Sequence, residues 1–120
     1  MYNVADILVL LIALLHIYFL ALEMFLWTKP IGLKTFNQSL EMANKTKALA
    51  ANQGLYNGFL AAGLVWGLMI KDLDHALSVK VFFLVCIFTA GVYGAMTVSR
   101  KILFVQALPA LLCLCLLSLF

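Results

Sequence analysis

Apolar residues recur along this chain in long unbroken runs, not in the alternating or 3.6-residue patterns of a half-buried strand or a surface helix. Four such runs stand near 4–27, 49–70, 77–98 and 102–120. Each approaches the roughly 20 residues that carry a helix across the hydrocarbon of a bilayer. The first contains Asp6, His16 and Glu23. The second opens on Asn52, Gln53, Tyr56 and Asn57 and is then apolar through Met69. The third has Lys80 near its start, and the fourth follows Ser99-Arg100-Lys101 and contains Gln106 and Pro109. The connections are a long polar stretch at 28–48, a short acidic one at 71–75, and a few residues around Arg100. Pro30 and Gly32 mark where the first helix must stop. Residues 33–51 either form a separate amphipathic helix or prolong the second span. The pattern predicts an all-α integral membrane four-helix bundle, a single transmembrane domain over residues 1–120.

Composition sharpens that expectation. Hydrophobic residues make up 66% of the chain and charged ones 11%, more apolar surface than a water-soluble domain of this size can hide. The first run lacks a basic n-region and a small-residue cleavage site, so it reads as a retained span and not a leader. Cys86, Cys113 and Cys115 all lie within apolar runs, as buried packing residues do, so neither a disulfide framework nor a metal site is expected.

Charge sets the expected topology. Lys29, Lys34, Lys45, Lys47, Arg100 and Lys101 fall in the first and third loops, against Lys71 and Lys80 on the other side. Such a bias places loops one and three in the cytoplasm of a cell membrane and both termini outside. The basic balance is therefore topological, and no nucleic-acid partner is expected. Small residues four apart, at Gly54/Gly58, Gly63/Gly67, Ala90/Gly94 and Gly91/Ala95, allow helices to approach closely in lipid. With only four spans, some of these faces are expected to meet another copy, giving a homo-oligomer.

Polar groups inside apolar runs are the candidates for chemistry, because ionisable residues at membrane depth usually face a bundle interior or a wet path. Glu23 and His16 are seven apart and share a helix face. Glu23 can hold a proton, pair with a cation or orient a ligand; alternatively it sits at headgroup depth beside a loop lysine. Asn52 stacks with Tyr56, and Gln53 with Asn57, on adjoining faces. They either form a polar ligand site or bridge helices by hydrogen bonds. Tyr93 and Arg100 are again seven apart, and Arg100 either ends its helix as a topological charge or supplies a fixed cation. Together these side chains suit an anionic or thiol-bearing amphiphile, whose thiolate an arginine favours.

Two resemblances rest on these residues. The string from His16 to Trp27 (HIYFLALEMFLW), followed by Ala50 to Ala61 (AANQGLYNGFLA), resembles a family of small bacterial four-helix membrane proteins of unassigned function, over nearly the whole chain. More distantly, the layout is similar to the membrane-associated eicosanoid and glutathione metabolism superfamily. Asn52 and Tyr56 stand at its second-helix asparagine and tyrosine, and Tyr93 and Arg100 at its third-helix pair. That resemblance implies a homotrimer, with glutathione as the cofactor-like ligand. Ala48 and Leu55 stand where the superfamily has an arginine and a glutamate.

Three functions follow as expectations. The first is a bundle binding or transforming a lipophilic or thiol-bearing small molecule at its cytoplasmic side. There Arg100 and Tyr93 would act catalytically, and Asn52, Tyr56, Asn57, Gln53, Glu23 and His16 would bind. The second is a small proton-coupled transporter working through Glu23, similar to the small multidrug resistance exporters. The third is a non-catalytic membrane scaffold.

Overall fold

A computed structural model describes residues 2–119. Phe120, where the fourth apolar run ends, lies outside them. All the regular structure in these residues is helical: α1 (Val4–Met24), α2 (Pro30–Thr35), α3 (Leu40–Met69), α4 (Leu73–Thr97), a π-helical segment (Leu103–Ala107) and α5 (Leu108–Leu119). Two helices, α1 and α4, are long and apolar enough to cross a membrane. The other two apolar runs fall short for separate reasons. In α3 the amides Asn52, Gln53 and Asn57 and the glycines interrupt the apolar pattern, and the last run, Leu103–Leu119, is simply shorter.

By its internal packing the chain divides into a central unit, Leu14–Ala61, and a flanking unit made of the residues on either side of it.

In the flanking unit α1 begins with a reciprocal cap. The Asp6 backbone N–H donates to Asn3 Oδ1 at 3.0 Å, and the Asn3 N–H donates to Asp6 Oδ2 at 3.2 Å, satisfying two donors that a helix start leaves open. Asp6 also accepts from Lys80 Nζ at 2.6 Å. The two side chains are only 9% and 12% exposed, so this is a buried ion pair between α1 and α4. Gly67 makes room for it, since a Cβ there would lie 2.6 Å from Lys80 Cγ.

The last helix packs along α4. Pro109 has no N–H to offer the carbonyl of Val105 and its ring crowds that oxygen, and the chain responds with the π-helical turn, in which the Leu108 N–H reaches Leu103 O. Ala107 then sits so close to Gly91 that a Cβ on the glycine would lie 2.7 Å from its backbone nitrogen. Gln106 Nε2 donates to Ile87 O at 3.1 Å. Val9, Leu64, Leu84, Ile87 and Cys113 are fully buried here.

In the central unit α1 ends by sharing an acceptor, as the N–H groups of Phe25 and Leu26 both donate to Ala21 O. An elbow follows. Gly32 is buried against the Leu26 and Trp27 carbonyls, where no Cβ fits. The Trp27 ring packs on Phe36 with centroids 4.8 Å apart. Asn37 turns the chain in the left-handed region (φ 49°), a conformation its short amide tolerates. The Ser39 hydroxyl then caps α3, accepting from the Met42 N–H at 3.1 Å. Of the two options for residues 33–51, the chain takes the second for most of their length: α3 is continuous from Leu40, 30 residues long, or about 45 Å.

Candidate functional site

The site is built where the end of α1, the elbow and the first half of α3 meet, all within the central unit. Gly54 is fully buried against Met24, Glu23 Cβ and Leu20 O, and Gly58 lies against Leu20. Without side chains at these two positions α3 approaches α1 closely. Asn57, one turn beyond Gly54, then reaches across to donate from Nδ2 to Glu23 Oε1 at 2.5 Å.

Beside this contact is an open cleft of about 260 Å³, lined by Glu23, Trp27, Gln38, Thr46, Leu49, Ala50 and Gln53. Glu23 and Trp27 are four residues apart on α1 and its extension. Thr46, Leu49, Ala50 and Gln53 follow the i, i+3, i+4, i+7 spacing of one helical face. The Trp27 indole donates from Nε1 to Thr46 Oγ1 at 3.1 Å, and the Thr46 hydroxyl in turn donates to Met42 O at 3.0 Å. Trp27 and Thr46 are thus spent on holding the wall. Gln38, Glu23 and the exposed Gln53 are not. Gln38 Nε2 is buried with no hydrogen-bond partner among the described residues, and Glu23 is a carboxylate with about four acceptor positions, one of which takes the Asn57 amide. The lining therefore offers a carboxyl acceptor and two side-chain amides on an otherwise apolar surface.

Of the eight site residues expected from sequence, Glu23, Gln53 and Asn57 come together here. Asn52 and Tyr56 are solvent- or lipid-facing, Tyr56 being 62% exposed and edge-on to Phe59. His16 is fully buried and meets Phe19 edge-on at 5.2 Å. Tyr93, 69% exposed, and Arg100, also exposed, belong to the flanking unit. Sequence reasoning missed Gln38, Thr46 and the part that Trp27 plays in the wall. The helical spacing from Thr46 to Gln53 carried the signal. It also missed the Asp6–Lys80 pair.

What these features define is a small all-helical protein with two helices able to cross a membrane and a carboxylate-bearing cleft at one helix junction. Residues 10–118 match the family described as protein of unknown function (DUF1304), and the chain belongs to that family. It is 31% identical over 110 residues to the uncharacterized protein YpaA of Lactococcus lactis subsp. lactis (strain IL1403), covering 90% of this chain and 91% of that one. No solved structure matches.

Proposed function

We propose that the protein is a multispanning membrane protein, a four-helix bundle assembling as a homo-oligomer with a trimer favoured. Its elbow-side cleft binds a small lipophilic molecule through a hydrogen-bond-donating or cationic group presented to Glu23. The observation that carries this reading is the Glu23 carboxylate opening on a mostly apolar cleft with one neutral amide as its partner. The apolar length of α1 and α4 supports the membrane setting, and the basic first and third loops support cytoplasmic placement of the elbow with both termini outside. At about 260 Å³ the cleft lies just under the ~300 Å³ where small-molecule sites usually begin. It suits a headgroup or a ring, with any long tail left in lipid.

The test is a titration of the detergent-solubilised protein with a long-chain primary amine, the matching alcohol and the matching fatty acid, read by Trp27 fluorescence in a Trp66→Phe background. The amine is expected to bind best, and Glu23→Gln to weaken it at least about tenfold, roughly 1.4 kcal/mol for a charge-assisted contact. Equal binding of amine and fatty acid, unaffected by Glu23→Gln, would sink the reading. A glutathione arm addresses the thiol-bearing alternative, which would act through Arg100 and Tyr93 and respond to Arg100→Gln instead.

A second reading has Glu23 carry a proton or cation during transport, favoured by its place near the end of an apolar helix. It requires Glu23→Gln to abolish proton-coupled uptake into vesicles, which simple binding does not.

A further inference from the structure

We infer that the elbow joining α1 to α3 is a docking surface for anionic lipid headgroups, in addition to forming one wall of the cleft. The inference rests on the membrane setting proposed above but not on the cleft's ligand.

Charge is the first support. Between residues 28 and 48 stand Lys29, Lys34, Lys45 and Lys47 against Glu41 alone, a formal +3 that equals the net charge of the entire chain. Outside this segment the four basic and four acidic residues cancel. All four lysines are exposed. The single acid, Glu41, lies 3.4 Å from Lys45, and the segment keeps its net +3 with that acid counted.

Interleaving is the second support. Among the lysines the elbow exposes large apolar side chains, Ile31 at 47%, Phe36 at 40%, Leu40 at 52% and Met42 at 50%. A surface at the headgroup boundary uses both kinds, the apolar groups entering the acyl edge and the ammonium groups meeting phosphates. Near an anionic leaflet each lysine adds attraction that falls off within a Debye length.

Rigidity is the third. The Gly32 contact with the Leu26 and Trp27 carbonyls, the Trp27–Phe36 packing, the Trp27–Thr46 hydrogen bond and the Ser39 cap hold the segment in one shape. The backbone that carries its lysines is thus held in place, unlike that of a floppy basic tail. A fixed backbone keeps part of the ordering cost of binding low.

The experiment uses the full chain in nanodiscs made from an equal mixture of phosphatidylglycerol and phosphatidylcholine, with the retained lipid quantified by mass spectrometry after detergent extraction. The wild type is expected to retain phosphatidylglycerol over phosphatidylcholine by about fivefold or more, and to lose that preference in high salt. The variant K29Q/K34Q/K45Q/K47Q is expected to retain both lipids equally, while K71Q/K101Q keeps the preference. Should the quadruple glutamine variant fail to fold, K29R/K34R/K45R/K47R, which keeps the charge, must show the wild-type preference, and the wild-type salt dependence decides alone. No preference in the wild type, a preference indifferent to salt, or one lost equally in K71Q/K101Q overturns the inference. So does equal competition by a soluble acidic peptide, which would make the surface a protein-docking site.

Discussion

Helix α1 carries two carboxylates, Asp6 near its start and Glu23 near its end, and the chain treats them in opposite ways. Asp6 has both oxygens held, one by the Lys80 ammonium and one by the Asn3 N–H, and is 8% exposed. Glu23 is half-buried, meets a neutral amide, and borders a cleft. A buried charge matched by an opposite charge and a cap has little capacity left for anything else, and its cost of desolvation is met within the fold. A carboxyl group given only an amide has no opposite charge beside it, which leaves it open to a proton, a cation or a hydrogen-bond donor.

The sharpest way to break this comparison is to remove the partners. Lys80→Ala is expected to cost about 3–5 kcal/mol, because it strands Asp6 as a buried unpaired charge, and the loss should appear as a lowered unfolding midpoint in detergent. Asp6→Asn in the Lys80→Ala background should recover part of it. A loss under about 1 kcal/mol would place Asp6 with Glu23 as a tolerant site.

Next in size is Gly91→Val. Its side chain would meet the Ala107 backbone, already 2.7 Å from where a Cβ would stand. Overpacking at such a contact costs about 1–3 kcal/mol, measurable by the same unfolding assay, whereas Ala90→Val on an exposed position should be near neutral.

Trp27→Phe comes third. It keeps the ring packing on Phe36 but gives up the hydrogen bond to Thr46, and should cost about 1 kcal/mol. It should also loosen the cleft wall, so amine binding, followed by calorimetry in this variant, weakens with it.

Smallest in stability is Glu23→Gln, expected to change unfolding by less than about 1 kcal/mol, since the amide still meets Asn57 and a half-buried charge disappears. If that substitution destabilised the protein as much as Lys80→Ala, Glu23 would be a structural residue and the cleft would lose its proposed role.

How far these contrasts could be read from the chain depends on distance along it. The helical content was legible because long apolar runs leave the backbone few other choices, and the stop after the first helix was legible in Pro30 and Gly32. Pairing of Gln53 with Asn57 and of Asn52 with Tyr56 was legible from their spacing, but the face that turns inward was not. Gly54 and Gly58 decide it, since the side of α3 bearing them is the side that can approach α1, and Asn57 lies on it while Asn52 and Tyr56 do not. The early start of α3 depends on local signals, the left-handed Asn37 and the Ser39 cap, which were present but unread. The Asp6–Lys80 pair joins residues 74 apart, and no local spacing reports such a contact. It follows only once two helix ends are assigned to the same side.

The π-helical turn before α5 has a consequence for how the family's members can vary. A π turn holds one residue more than the α-helical turn it replaces, and here Pro109 makes that extra residue tolerable by having no N–H to place. A deletion of one residue between Leu103 and Ala107, combined with replacement of Pro109, should therefore regularise the helix with the Ala110, Cys113 and Leu117 stripe still facing inward. Relatives without a proline at this position are accordingly expected to be one residue shorter there, a gap that can be sought by comparing their sequences.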